Sequence, residues 1–497
     1  MFMWSQTRRF LNSSISRLAR DERGSLVPAV AGSVLMLTGA AGLSIDGARM
    51  FYVKDVLQKS LDSAGLAAGH AMDVDTMEAD AREFFEANIG AVENLAASSD
   101  MQINISDDNE LITLTAEATV DATFMSIFGF GEITVSASTE ISRETRGMEL
   151  VLVMDNTGSM RHDGKIDTMK EAATNLVQTV YGEDNETNPN LWVGVVPYVT
   201  HVNVGNANEG WLSADGQTLV DSGFPSTEWM GCIAARDDGF DETDDPPSEE
   251  GFMPYYWDDT DYEGWHDGGG FWEFGQADNN WFDETNGNEI TIVETNNRYD
   301  ALGPNRGCGE EITPLVAEKT TVTDAIDAMA PWSFGGTATP MGLVWGWRVL
   351  SPRWRGLWAG SDPSLPMDHD APFMDKVIVI LTDGKNEVIQ PTSWPDPMPW
   401  ISDYTAYGRI VDMGHDNIDD ARDDLDDRFD RICVNAKADG IIIYSITFGS
   451  TPDEDVQTAF ENCATNPAFY FHAPTASSLE TAFDTIGRQL SNLRLSK

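Results

Sequence analysis

Basic residues are scarce. The 497-residue chain has 31 Lys and Arg against 82 Asp and Glu, a net charge of −51. Such an excess repels a phosphate backbone and an anionic lipid surface, which excludes nucleic-acid binding and docking on lipid through a basic face. Cysteine is scarce too. Cys232, Cys308, Cys433 and Cys463 are the only four, and no two lie close enough for a CxxC pair. That spacing excludes a zinc ribbon and a thioredoxin-type redox motif. Seven histidines are present, but none forms HExxH, and no GxSxG accompanies them. A zincin and a serine-hydrolase elbow are thereby excluded. Disorder is excluded by composition, because 41% of residues are hydrophobic.

Long apolar runs are equally rare, and one of them fixes the compartment. Residues 24–45 read GSLVPAVAGSVLMLTGAAGLSI, with no charged residue. As a helix this run is about 33 Å long, enough to cross a bilayer. Pro28 lies at its start, where a helix tolerates proline. Arg8, Arg9, Arg17, Arg20 and Arg23 precede it, so residues 1–23 are expected in the cytoplasm. The bulk of the chain is then expected outside the cytoplasm, with the span crossing the membrane once. A cleavable signal peptide is the rival reading, but its apolar region is only about 7–15 residues long. An exported chain with an even cysteine count is expected to form disulfides.

Residues 46–146 are expected to form a small α+β stalk. Val53, Val56, Leu57, Leu61, Ala64 and Ala68 recur at helical spacing, and a second helix is expected at about 76–87. The period then changes to two. Residues 101–106 and 111–120 read as a hairpin across Asp107-Asp-Asn, and 133–141 as a further strand.

From 147 to 497 strands and helices alternate. MELVLVM (148–154) and KVIVILT (376–382) are continuous apolar runs, as expected for parallel strands covered on both faces. LWVGVVPYV (191–199) and GIIIYSITF (440–448) read as further strands, with helices at about 165–181, 316–329, 340–350, 419–438, 453–462 and 477–493. The expected fold is α/β, a doubly wound, mostly parallel sheet. Two stretches break the rhythm. Residues 204–313 are rich in Asp, Asn, Gly and Trp, with Trp211, Trp229, Trp257, Trp265, Trp272 and Trp281; residues 384–418 carry Pro391, Pro395, Pro397 and Pro399. Each reads either as a solvated excursion pinned by tryptophan or as a contact platform.

Strand ends carry the candidate chemistry. The first buried strand runs into Asp155-Asn156-Thr157-Gly158-Ser159, the later one into Thr382-Asp383-Gly384, and Gly335-Gly336-Thr337-Ala338-Thr339 precedes a helix. Open α/β sheets bind ligands at the carboxyl ends of their strands. Asp155, Thr157, Ser159, Thr337 and Asp383 offer only hard oxygens, which suits Mg²⁺, Mn²⁺ or Ca²⁺ rather than zinc or copper. Two carboxylates leave such a cation with residual positive charge, so an acidic group of a partner can complete its shell.

DxTxS, GGT and TDG in this order resemble the metal-ion-dependent adhesion site (MIDAS) of von Willebrand factor A domains, with Thr157 where the family usually has Ser. The resemblance implies that Thr157, Ser159 and Thr337 ligate the metal directly, with Thr339 as the alternative to Thr337. Asp155 and Asp383 would act directly or through water. A second resemblance covers the whole chain. The segment RDERGSLVPAVAGSVLMLTGAAGLSIDGARMFYVKDVLQKSLDSAGLAAG resembles the N-terminal region of TadG-like proteins of Flp/Tad pilus assembly. GCIAAR (231–236), GLVWGWRVLSP (342–352), CVNAKADGIIIYSITFG (433–449) and the ending LSNLRLSK resemble that family as well. It implies an inner-membrane anchor, a stalk and a periplasmic A-like domain with insertions, bound to protein partners of the pilus-assembly machinery or the envelope. No Glu stands shortly after Gly24, so prepilin-type processing is not expected.

The implied role is binding rather than catalysis. A free-standing surface adhesin is the alternative, and a metal-dependent hydrolase is disfavoured because no general base stands near the motif. The cysteines are expected to pair as Cys232–Cys308, across the Trp-rich insertion, and Cys433–Cys463, across the strand 440–448. Loops of that size suggest about 3–5 kcal/mol per bridge. Asp259-Thr-Asp-Tyr-Glu-Gly opens like an EF-hand loop, but its twelfth position is Gly270. The aspartates of 419–427 read as a solvated helix face.

Overall fold

The computed structural model describes most of residues 26–495. It leaves out 1–25, 258–278, 280, 282–291, 293, 295–301, 390–401, 496–497 and stretches of one to five residues between elements. Trp265, Trp272, the EF-hand-like start and the four prolines of the second insertion lie outside the described residues. Contacts divide the chain into two compact units, one ending at Glu144 and one running from Thr145 to Ser496.

The first unit begins with one unbroken helix, α1 (Leu26–His70), in which the apolar span continues into the stretch of helical spacing that follows it. Its first half is apolar all round and uncovered, with Leu26, Leu35 and Met36 each about three-quarters exposed. An unbroken helix this long and apolar meets the requirement for crossing a membrane. Its second half is amphipathic and buries Val53, Leu57, Leu61, Ala64 and Ala68. They pack on Met77, Ala81 and Phe85 of α2 (Val74–Ile89) and on an antiparallel sheet. The sheet comprises β1 (Ala96–Ser98), β2 (Gln102–Ile105), β3 (Leu111–Asp121) and β4 (Glu132–Ser142), with β3 central. Close packing depends on Gly65, where a Cβ would lie 2.1 Å from Ile141 Cδ1. Asp46 ties the middle of α1 to the β3–β4 connection, its carboxylate accepting from the backbone N–H groups of Thr123, Phe124 and Met125.

The second unit is built on β5 (Gly147–Asp155), α3 (Lys165–Tyr181), β6 (Leu191–Tyr198), β7 (Val202–Asn203), α4 (Ala214–Gly223), β8 (Cys232–Ile233), β9 (Thr313–Val316), α5 (Lys319–Ala328), β10 (Gly336–Thr337), α6 (Thr339–Leu350), β11 (Met374–Thr382), β12 (Glu387–Val388), α7 (Ile418–Ala438), β13 (Ile442–Phe448), α8 (Glu454–Cys463), β14 (Tyr470–Ala473) and α9 (Ala476–Leu495). Six strands form one mixed sheet in the order β14-β13-β11-β5-β6-β9. The first five run parallel, and β9 closes the edge antiparallel to β6. Strand β9 was not expected from the sequence. Pro314 cannot donate to a ladder, which suits an edge strand.

Period-two alternation builds two cores from the same strands. Val151 and Val153 of β5, with Ile378 and Ile380 of β11, face α6, α7 and α8. Leu150, Leu152 and Met154, with Val377, Val379 and Leu381, face α3, α5 and α9. One charged pair lies among them: Lys376 donates to Glu149, which also accepts from the backbone N–H of Met367. Removing one partner of such a buried pair leaves an uncompensated charge.

The described part of the first insertion is pinned by tryptophan. Trp211 packs with Trp345, Trp354 and Trp358 of the main chain, ring centroids 4.9–6.4 Å apart. Trp229, Trp257 and Trp281 are buried too, so the described tryptophans of the insertion pin it rather than display it. Arg236 and Arg348 are buried and spend their donors on backbone carbonyls, sharing that of Phe240. Disulfides join Cys232 to Cys308, and Cys433 of α7 to Cys463 at the end of α8.

His201 is sealed at the base of the insertion. Its ring stacks on Tyr255 at 4.0 Å, and Nε2 lies 2.9 Å from the Gly307 carbonyl. Burial pushes its pKa down to about 4. Protonation therefore favours the unfolded chain, where an ordinary histidine titrates near 6.5. The His201 contribution is fully present above about pH 6.5 and is lost as pH falls towards 4, by a few kcal/mol at most. Urea unfolding of wild type and His201→Gln at pH 7, 5.5 and 4.5 should show the variant losing less stability on acidification. Parallel pH profiles would contradict this.

Candidate metal centre

The parallel ladder pairs Val153 of β5 with Ile380 of β11. Two residues on, Asp155 and Thr382 stand side by side at the carboxyl edge, and Asp383 follows. Asp155 is fully buried. Its Oδ1 accepts the Thr157 backbone N–H at 2.8 Å, and its Oδ2 accepts the Thr382 hydroxyl at 2.9 Å. The first bond is a local Asx-type turn, which bends the chain out of the strand and holds the motif in shape. Tyr198, at the end of β6, donates to the Leu381 carbonyl at 3.0 Å with its oxygen 3.5 Å from Asp155 Oδ2.

The two hydroxyls of the motif meet the second acid. Thr157 Oγ1 and Ser159 Oγ are 3.0 Å apart, and Ser159 donates to Asp383 Oδ1 at 2.5 Å. Asp383 Oδ2 receives the Lys165 ammonium at 2.8 Å. Burial, and then the neighbouring Asp383 charge, push the pKa of Asp155 up to about 6. Two buried carboxylates facing each other gain from any cation placed between them.

The third loop arrives through glycine. Gly336 has φ +110°, and a Cβ there would lie 1.9 Å from the Glu387 carbonyl oxygen. Only glycine lets β10 pair with β12, and that pairing sets Thr337 beside Glu387, four residues past Asp383. Thr337 is nearly buried. Among the described residues, no hydrogen bond joins its side chain to Asp155, Thr157, Ser159 or Asp383. Thr339 is differently engaged. Asn386 Oδ1 accepts both its N–H and its hydroxyl, at 2.8 and 2.9 Å, so a side chain of the β11–β12 loop caps α6. Four of the five sequence-derived residues thus form one hydrogen-bonded group, with Thr337 on the adjoining loop.

Four further residues complete the surroundings. Lys165 and Tyr198 touch the two acids. Asn386 holds the third loop. Glu310, at the end of the insertion, accepts from Asn156 Nδ2 and Trp332 Nε1 at 3.0 and 3.1 Å. The only sequence signal was position: Lys165 opens the helix after DxTxS, and Asn386 follows TDG by two residues. Elsewhere, Asp244, His369 and Asp439 gather ligand atoms within 4.8 Å of one another. Arg353 and Ser351 already hold both oxygens of that Asp244.

The donors of the β5–β11 group are carboxylates and hydroxyls, with no sulfur or imidazole. That set fits a hard divalent cation.

No known family profile matches the chain, and no curated protein matches it in sequence. Solved structures do resemble it. A pilus adhesin, SpaC of Lactobacillus rhamnosus GG, matches at 10% identity and TM-score 0.35, covering 80% of this chain and 35% of that one. The vWF domain of the type V pili tip protein Mfa5 of Porphyromonas gingivalis matches at 12% identity and TM-score 0.36, covering 71% and 97%. Proximal thread matrix protein 1 of the mussel byssus, solved with a zinc-occupied MIDAS motif, matches at 14% identity and TM-score 0.30, covering 69% and 47%. The match to SpaC spans about a third of that protein's length.

Thr339→Val should cost about 1 kcal/mol, the net value of one buried hydroxyl hydrogen bond. Urea unfolding measures that loss. Divalent-cation affinity, read by titration calorimetry, should stay at the wild-type value. A large loss of affinity would make Thr339 a ligand.

Proposed function

We propose that this is a membrane-anchored, extracytoplasmic binding protein of the TadG-like type, acting in Flp/Tad pilus assembly through a divalent cation. The observation that carries the cation site is the convergence of Asp155, Thr157, Ser159 and Asp383, all hard oxygen donors, at adjacent strand ends. With Thr337 they would hold Mg²⁺, Mn²⁺ or Ca²⁺. The bound ion would supply an electrophilic position for a carboxylate of a protein partner. The role proposed is binding rather than catalysis, in line with the resemblance of the sequence to adhesion-site domains. The pilus-specific part rests on the sequence resemblance. The anchor reading is supported by the exposed apolar half of α1 and by the five arginines before it, which favour a cytoplasmic N-terminus.

Asp155→Ala should abolish divalent-cation binding in calorimetry and capture of the protein partner from solubilised membranes. It also removes the acceptor of the Thr157 N–H and the Thr382 hydroxyl, at a cost of about 1–3 kcal/mol, while far-UV circular dichroism stays nearly unchanged. Wild-type binding of metal and partner by this variant would refute the cation-site reading. Thr337→Val should weaken metal affinity without a matching loss of stability.

A reporter fused after Lys497 should be active outside the inner membrane and silent within the cytoplasm. The opposite result would refute the topology.

A further inference from the structure

The site already contains a cation of its own. Lys165 is the first residue of α3, placed there by a turn through Gly164 at φ +69°. Its ammonium lies 2.8 Å from Asp383 Oδ2, with the lysine side chain 13% exposed and the aspartate 1%. The other Asp383 oxygen accepts the Ser159 hydroxyl. The pair is therefore largely withdrawn from water, where an ion pair is strong and an unpaired carboxylate costly. This lysine neutralises the acid that a divalent ion would have to use.

Resting on the cation-site reading above, we propose that Lys165 is a tethered counter-ion that competes with the divalent cation for Asp383. In the metal-free protein the ammonium holds Asp383 and keeps the two-acid site stable. A divalent ion that binds must displace the ammonium from that oxygen or bear its repulsion. Affinity is thereby lowered, so the site fills only where the ion is abundant. Two consequences separate this from a purely structural ion pair. Removing the positive charge should tighten metal binding. It should also make folding of the second unit dependent on metal, since a ligand that binds only the native state stabilises it by mass action.

The test uses the full-length chain in detergent, with Mn²⁺ as the probe. Affinity is read by calorimetry and by the electron paramagnetic resonance of free Mn²⁺, and thermal unfolding is followed in EDTA and in saturating Mn²⁺. Lys165→Met should bind Mn²⁺ about tenfold or more tightly than wild type. In EDTA it should melt below wild type, and saturating Mn²⁺ should close that gap. Lys165→Arg should keep the wild-type affinity. Lys165→Gln serves as a second neutral variant should the methionine form fail to fold. Measurable but unchanged affinity in the neutral variants, with destabilisation that Mn²⁺ does not repair, would overturn the proposal and leave Lys165 a structural partner. Absence of Mn²⁺ binding by wild type and all variants would instead overturn the cation-site reading, and this inference with it.

Discussion

The parallel ladder between β5 and β11 runs from Gly147 opposite Met374 to Val153 opposite Ile380. Both strands are covered on both faces through their middles, where Leu150 to Val153 and Val377 to Ile380 are all committed to a core. Past that stretch, polar groups without a partner in the ladder can stand where the strands stop. Because the register is fixed, the stopping points coincide, and Asp155 comes to rest beside Thr382 and Asp383. A slip of one residue would exchange the two cores and move one acid away from the other. The hydrogen bonds of Thr157, Ser159 and Lys165 all presuppose that alignment.

The parts of the fold legible in the sequence were those with a strong period. Within the runs 148–154 and 376–381 the only polar residues are Glu149 and Lys376, and these two neutralise each other. Helices α3 and α6 carry apolar residues at helical spacing. The edge strand β9 was not legible, because four residues containing a proline give no alternation to read. For the Trp-rich insertion the sequence left a pinned excursion and a contact platform open, since the partners of Trp211, namely Trp345, Trp354 and Trp358, lie more than a hundred residues later in the chain.

At the candidate site, DxTxS, GGT and TDG could be read because each sits at a strand end or at a forced turn. What the sequence could not show is who faces whom. Whether Lys165 points at solvent or at Asp383 depends on the left-handed turn at Gly164. Whether Thr337 or Thr339 is free to act depends on Asn386, a residue that no motif includes. Glu310 shows the same limit. It meets Asn156 only because the insertion returns through the Cys232–Cys308 bridge to a point beside the β5 loop.

Helix α1 has no break between its uncovered apolar half and the half buried in the first unit. Its 45 residues extend about 67 Å. Such a rod has a phase as well as a length. Each residue advances the axis by about 1.5 Å and turns it by about 100°, so the orientation of Val53, Leu57 and Leu61 is geared to that of Val34 and Leu35. Adding one residue between Gly47 and Tyr52 would leave both halves intact in composition yet rotate one against the other by more than a quarter turn. Tension or torque applied to the first unit would pass along the same backbone without a slack linker to absorb it.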